Sequence, residues 1–382
     1  MKVTKVETIA VKHYLFVKVY TDENIVGLGE AGNWGFLGAT EAAIKKLATF
    51  IIGEDPFKIE HSYQNMYRAM YFRGSVLMSA ISAIDIALWD IKGKALGVPV
   101  YELLGGMTRD KVRTYASGMN PVRENAEEVA ESFRKLKAAG FSAGKIFLAD
   151  PETSVDGKDE FYCNKISRLV NKVKLAREAV GEDFDIILEV HRSMSVPEAI
   201  AFADAVTPYR PMFLEDPIMP DNPDAMGFVA DKIRIPVATG ERFICLHEFE
   251  TLLARNGAQY VRPDVCAVGG ISVTKKVAAV AEAHNALVVP HNPLGPVSSA
   301  ACIQICASIP NVGIMELPGF MLNGAENTMV KEPLTVENGC FMVPNTPGIG
   351  IELAENAEEL FPAKDRASNR AHYSFDGSVR DF

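Results

Sequence analysis

The chain has 382 residues, 48% of them hydrophobic and 23% charged, which is more than one ordinary domain needs, and it excludes disorder by composition. Its formal charge of −10, from 49 acidic and 39 basic residues, argues against nucleic acid as a partner, because a phosphate backbone calls for clustered Lys and Arg. An anionic small molecule stays compatible with that charge where a metal and a few cations focus positive potential in one cleft.

The start, Met1-Lys2-Val3-Thr4-Lys5-Val6, has no apolar signal core, and no stretch reaches the roughly 18 apolar residues of a membrane span. No membrane partner is expected, and the expected location is the cytoplasm. The six cysteines (Cys163, Cys245, Cys266, Cys302, Cys306, Cys340) contain no CxxC pair and read as reduced residues of the core.

In chain order, residues 1–110 read as an α+β cap. Strands are expected at Val3–Ala10, Leu15–Tyr20 and Val26–Glu30, and helices near Ala39–Ile52, Lys58–Met70 and Val76–Leu96. From Lys111 to Asn327, short β-branched runs alternate with amphipathic stretches, as parallel βα units do. The eight strands are expected at Val112–Ser117, Ala143–Leu148, Ile186–His191, Met212–Asp216, Val237–Glu241, Tyr260–Pro263, Leu287–Pro290 and Gly313–Glu316. The steps between strand ends are 26 residues from Glu189 to Glu215, 26 from Glu215 to Glu241 and 23 from Glu241 to Asp264. No GxGxxG follows the first strand and no hairpin interrupts the series, so an α/β fold closed as a (β/α)8-type barrel, a modified TIM barrel, is preferred to an open doubly wound sheet. The tail, about 328–382, is rich in Pro, Gly and Asn and is expected to pack back on the cap and complete it.

Polar residues at the strand ends carry the function. In Ile-Ile-Leu-Glu189, Met-Phe-Leu-Glu215 and Val-Ala-Thr-Gly-Glu241, a carboxylate ends an apolar strand buried on both faces. Taken singly, each is as well explained by capping a helix or by pairing with a neighbour such as Arg242. Three on consecutive strands converge at one mouth, where uncompensated carboxylates cost several kcal/mol each and call for a cation. An all-oxygen set favours one Mg²⁺ per chain over Zn²⁺. Asp264 and His291 close adjacent strands and read as a dyad in which the carboxylate fixes the imidazole tautomer and raises its basicity. His191, two residues past Glu189, is expected on the same strand face and in the same mouth, as the second proton-transfer group. The remaining histidines, His13, His61, His247, His284 and His372, read as packing or surface residues.

The motifs Glu215-Asp-Pro, Thr-Gly-Glu241-Arg, Arg-Pro-Asp264 with Gly269-Gly270-Ile, His291-Asn-Pro-Leu-Gly-Pro, and Glu316 resemble the mandelate racemase subgroup of the enolase superfamily, on the side of its acid-sugar (galactonate-type) dehydratases. The cap motifs Arg73-Gly-Ser-Val-Leu-Met and Val-Gly-Leu-Gly-Glu30 agree, so the resemblance runs from end to end. It implies a hydro-lyase acting on an aldonate. The C2 proton is removed, the C3 hydroxyl leaves, and a 2-keto-3-deoxy acid forms through a metal-stabilised enediolate. It implies His291 as base held by Asp264, His191 as acid, Glu316 as a hydrogen-bond partner of the intermediate's carboxylate, and a homo-oligomer. Lys145, Arg73 and Trp34 are the candidate substrate contacts.

Two positions depart from the resembled pattern: Glu189 stands where Asp is usual, and Phe147 stands where a second polar residue is usual on the strand of Lys145. Two alternatives therefore stay open. One is a weak or inactive homologue with a binding or regulatory role, on account of Glu189. The other is a racemase or epimerase using Lys145 and His291.

Overall fold

β-Branched and aromatic residues dominate the N-terminal segment, and in the computed structural model it forms an antiparallel meander of β1 (Val3–Val11), β2 (Tyr14–Thr21) and β3 (Val26–Ala31). The structure describes residues 1–117, 125–148, 162–319, 321, 324–365, 372–373 and 378–380. Three helices cover the meander: α1 (Leu37–Ala48), α2 (Ile59–Ala69) and α3 (Ser75–Leu96). β3 lies directly on the backbone of α3, since a Cβ on Gly27 or Gly29 would stand 2.0 Å from the carbonyl oxygen of Ala87 or Ala83. Only glycine permits that approach. It brings the end of β3, with Glu30, over the barrel.

A short helix α4 (Val100–Leu103) leads into the alternating units. They run β4 (Lys111–Ser117), α5 (Ala126–Ala138), β5 (Ala143–Phe147), α6 (Tyr162–Val180), β6 (Asp185–Glu189), α7 (Val196–Val206), β7 (Phe213–Glu215) and α8 (Pro223–Lys232). The series continues with β8 (Val237–Thr239), α9 (Leu246–Ala254), β9 (Tyr260–Val261), α10 (Gly270–Ala283), β10 (Leu287–Val288), α11 (Pro296–Ser308) and β11 (Met315–Pro318). Capping boxes start α5 (Asn125 with Glu128) and α7 (Ser195 with Glu198), each satisfying N–H groups that the helix itself leaves open. β4 to β10 pair in parallel in chain order, and β11 pairs with β4. A bridge between Val288 and Val312 and a bond from Gly313 N to Val288 O (2.9 Å) join the approach to β11 to β10. The eight strands thereby close into a barrel.

Inside it, Tyr115, Ala143, Ile187, Phe213, Ala238, Val289 and Ile314 form one buried apolar layer. Side chains on a strand return to the same face every second residue. The next inward positions toward the C-terminal ends are therefore Lys145, Glu189, Glu215, His291 and Glu316; Lys145, Glu189, Glu215 and Glu316 form the floor of the mouth, and His291 stands at its rim.

Several expected boundaries move. β6 ends at Glu189 rather than His191, because His191 and Arg192 take left-handed φ values of 49° and 64°. β8 ends at Thr239, β9 at Val261 and β10 at Val288, which leaves Glu241, Asp264 and His291 on the loops that follow. The tail does more than return to the cap. A hairpin of β12 (Val336–Glu337) and β13 (Cys340–Met342) adds antiparallel to the start of β4, while Lys364 N bonds to Lys12 O and Glu352 pairs with Lys94 of the cap. Cys266, Cys302 and Cys306 are buried, but Cys163 is exposed, so the expectation of core cysteines holds for only part of the set; all six are free thiols.

Candidate active site

Glu189 and Glu215 are cross-strand neighbours at the ends of β6 and β7. Glu241 joins them although it is three residues past Ala238, which breaks the period of two. Gly240, at φ 125°, absorbs the extra residue. One oxygen from each of Glu189, Glu215 and Glu241 lies within 4.8 Å of the other two. Burial, and next the Glu215 charge, push the Glu189 carboxyl well above the usual carboxylate range. Glu215 Oε2 is buried with no hydrogen-bond partner. Crowded acids with an open oxygen are a poor arrangement in isolation and a good one for a hard cation.

Two buried cations hold this floor. Lys145 Nζ lies 3.5 Å from Glu189 Oε2, 3.5 Å from Glu215 Oε1 and 3.1 Å from Glu316 Oε1. Arg262, on β9's exit, sets Nε 2.8 Å from Glu215 Oε1 and one terminal nitrogen 2.8 Å from Glu316 Oε2, and donates from the other to the Tyr115 hydroxyl (2.6 Å). Burial raises the Glu316 carboxyl, but Lys145 and Arg262 outweigh it and hold Glu316 well below the usual range. An ionised carboxylate only accepts hydrogen bonds. Glu316 therefore orients Lys145 and Arg262.

His291 Nδ1 lies 3.0 Å from Asp264 Oδ2, and Asp264 Oδ1 accepts from Cys266 N (2.8 Å). The carboxylate fixes the proton on Nδ1 and leaves Nε2 toward the mouth, 3.3 Å from Glu241 Oε2. Burial lowers the His291 pKa, but Glu241 and Asp264 outweigh it, and the net shift is upward. Trp34 stacks on the ring at 5.4 Å, with 21° between planes.

His191 reaches the mouth through its left-handed turn rather than along a strand. Its Nε2 is 3.8 Å from Glu241 Oε1, and Phe147 packs on its ring at 5.4 Å. Arg192 was not anticipated from the sequence. It donates to Glu241 Oε1 (2.7 Å) and Asp216 Oδ2 (2.8 Å), and its other terminal nitrogen is 3.0 Å from His191 Nε2. Guanidinium only donates, so His191 Nε2 accepts and the ring is neutral. Burial, with Arg192 next, brings the His191 pKa down to about 3. The site's second missed residue is Arg262; a charged residue inside the apolar run Tyr-Val-Arg262-Pro is the signal that could have found it.

Residues 2–105 match the N-terminal domain of the mandelate racemase/muconate lactonizing enzymes, and residues 124–357 match the enolase C-terminal domain-like family. The chain belongs to the enolase superfamily. It is similar to the D-galactonate dehydratase of Pectobacterium atrosepticum, 37% identical over 364 residues, which are 93% of each chain. It is also similar to the D-galactonate dehydratase of Ralstonia pickettii, at 36% over the same length and 93% of each. Among solved structures, a member of the enolase superfamily from Salmonella Typhimurium matches with TM-score 0.89 and 33% identity, covering 94% of this chain and 98% of that one. An enolase from Agrobacterium radiobacter, solved with bound Na and L-malate, matches with TM-score 0.91 and 30% identity over 99% of both chains.

Members of the enolase superfamily bind a divalent metal, and the donor set here fits one: three convergent carboxylates, one with an open oxygen. Of the candidate substrate contacts, Lys145 lies among the acids and Trp34 on the base. Arg73 lies over the Tyr67 ring of α2, 4.1 Å from its centre. No helix among the described residues is long and apolar enough to cross a membrane.

Proposed function

We propose that this chain is an acid-sugar hydro-lyase that converts an aldonate to a 2-keto-3-deoxy acid. The observation that carries the reading is two histidines converging on one acid, His191 Nε2 at 3.8 Å and His291 Nε2 at 3.3 Å from the two oxygens of Glu241. A C2 proton and a C3 hydroxyl sit on adjacent carbons, so their removal needs two proton-transfer groups in one small mouth.

Glu189, Glu215 and Glu241 would hold one Mg²⁺, whose chemistry is to neutralise charge at the substrate carboxylate and so acidify C2. His291 Nε2 takes the C2 proton, with Asp264 stabilising the resulting imidazolium. His191 supplies the proton with which the C3 hydroxyl leaves as water. Its ring is neutral beside Arg192, so it draws that proton from solvent water once negative charge builds on the substrate, while the C2 proton stays on His291 until it is released to solvent. The enol then tautomerises to the 2-keto acid. Lys145, held cationic by three carboxylates, is an electrostatic contact for the substrate rather than a second base, which weighs against the racemase alternative. Arg73 and Trp34 serve as cap contacts to the substrate. The same reading takes 1–110 with the tail from about 328 as the cap, 111–327 as the barrel, a homo-oligomer as the assembly and the cytoplasm as the location.

A screen of aldonates and aldarates for 2-keto-3-deoxy product, with and without Mg²⁺, tests the reading. Turnover of an aldonate that stops on metal removal is the expected result. Absence of turnover on every acid sugar overturns it in favour of a binding or regulatory homologue, and C2 deuteration without loss of water overturns it in favour of the racemase.

A further inference from the structure

β3 ends against the N-terminal end of α11, and what it places there is a carboxylate. Glu30 is fully buried; its Oε1 accepts from Gly295 N (2.6 Å) and its Oε2 from Ser298 N (2.8 Å). α11 starts on Gly295, which offers no side-chain oxygen, so the first N–H groups of this buried helix depend on a partner from elsewhere in the chain. The cap supplies it, and the helix dipole favours a negative group at that end.

The contact continues to the reacting groups. Ser298 Oγ donates to Asn292 Oδ1 (2.9 Å), Asn292 Nδ2 donates to Glu316 O (3.0 Å), and Asn292 N donates to Glu316 Oε2 (3.0 Å). Asn292 is the neighbour of His291. Two residues past Glu30, Gly32 N donates to Cys266 O (2.9 Å), and Cys266 N in turn holds Asp264 Oδ1. Two residues further, Trp34 stacks on the His291 ring. Alternate residues of one cap strand and its extension thus touch the loop of the base, the loop of its carboxylate partner, and the base itself.

We propose that Glu30 is a positioning residue for His291: it seats the cap on the first turn of α11 and, through Ser298 and Asn292, fixes the loop that carries the base. The kinetic part of this rests on the dehydratase reading; the structural part does not. Alignment of the base is then a consequence of cap docking, so a cap that lifts from the barrel also misaligns His291.

The test uses the full chain in a Trp89→Phe background, which leaves Trp34 as the only tryptophan, with Trp34 emission and steady-state kinetics as readouts. Glu30→Gln puts an amide NH2 where the carboxylate faces backbone N–H donors. It is expected to lower kcat about ten- to a hundredfold with KM within about twofold, as for a misplaced group that does not bind substrate. Trp34 emission is expected to change as the stack on His291 loosens. Ser298→Ala keeps the N–H that Glu30 caps and cuts the link to Asn292; it is expected to change both readouts in the same direction by a smaller factor. A Glu30→Gln protein with lowered thermal stability but unchanged kcat and unchanged Trp34 emission would make Glu30 a structural residue only, and overturn the proposal. If Glu30→Gln does not fold, Ser298→Ala decides: unchanged kcat and emission overturn it. If the parent protein turns over no acid sugar, the dehydratase reading fails by itself, and the emission change alone supports or overturns the positioning role.

Discussion

Glu215, at the end of β7, and Glu241, on the loop after β8, belong to the same proposed metal site, yet their surroundings differ. Glu215 rests on Arg262 and Lys145 in the floor and keeps one oxygen without a partner. Glu241 sits on the rim, contacted by Arg192, His191 and His291. Burial raises Glu241, but His291 and Arg192 outweigh it and hold its carboxyl below the usual range. The floor is a fixed charge lattice whose function is to exist before substrate arrives. In the proposed function the rim is where protons move, because both histidines meet the same carboxylate there. Perturbing the floor should act first on folding and metal retention, and perturbing the rim should act on the proton-transfer steps.

The largest effect is expected from the floor. Arg262→Met leaves Glu215 and Glu316 buried without their guanidinium, which costs about 3–5 kcal/mol when one partner of a buried ionic group is removed. Denaturant unfolding measures it, and activity should be lost with it. A cost under about 1 kcal/mol would mean that Lys145 alone neutralises the floor, and would erase the contrast. Next comes the rim. His291→Asn removes the proposed base and should lower kcat by about 10²–10⁴-fold, the usual range for a general base, with little change in unfolding free energy. Exchange of the C2 proton, followed by NMR in D2O, should stop as well; persistent exchange would assign the base elsewhere.

The division between what was legible in the sequence and what was not follows the same line. Period-two alternation and constant spacing are local properties, so the barrel, the inward Lys145, the convergence of Glu189 and Glu215, and the Asp264–His291 pair could all be read from the chain, while Glu316 comes only with the family resemblance. Arg192 and Arg262 could not be assigned roles, because which acid a buried guanidinium meets depends on strands brought together only when the barrel closes. Extending β6 by two residues predicts His191 in the mouth. The structure puts it there through two left-handed residues, which no alternation rule contains. Gly240 hides the phase of Glu241 for a similar reason, and the addition of β13 to β4 is a long-range pairing that the Pro- and Gly-rich tail gave no sign of.

A smaller effect separates rim from floor by pH. The folded pKa of His191, about 3, lies below the ordinary value of 6.5, so the unfolded chain binds more protons between those values. This contribution to stability is complete above pH 6.5 and is lost as pH falls toward 3. At pH 5, about 1.5 units below 6.5, roughly 2 kcal/mol of it should be gone. In the presence of a chelator, His191→Asn should unfold with a correspondingly flatter pH dependence between 6.5 and 5 than the parent. An identical slope would mean that the ring is not held neutral by burial and Arg192.

The smallest effect is expected at Glu189, which stands where the resembled family pattern has Asp. Glu189 uses its additional methylene: Oε1 turns back to accept from His191 N (2.7 Å), and Oε2 faces Lys145. The bond spans the residues at which the chain enters its left-handed turn, so Glu189 both offers an oxygen to the floor and holds the rim histidine in place. Glu189→Asp shortens the side chain by about one carbon–carbon bond, 1.5 Å, against a tolerance near 0.5 Å for a working site. It should therefore weaken Mg²⁺ binding, read by calorimetry, and lower kcat by no more than about tenfold, because Glu215 and Glu241 remain. A rise in kcat would show instead that the longer side chain limits the reaction. In that event the turn at His191 is held by Arg192 rather than by Glu189, and floor and rim are independent of each other.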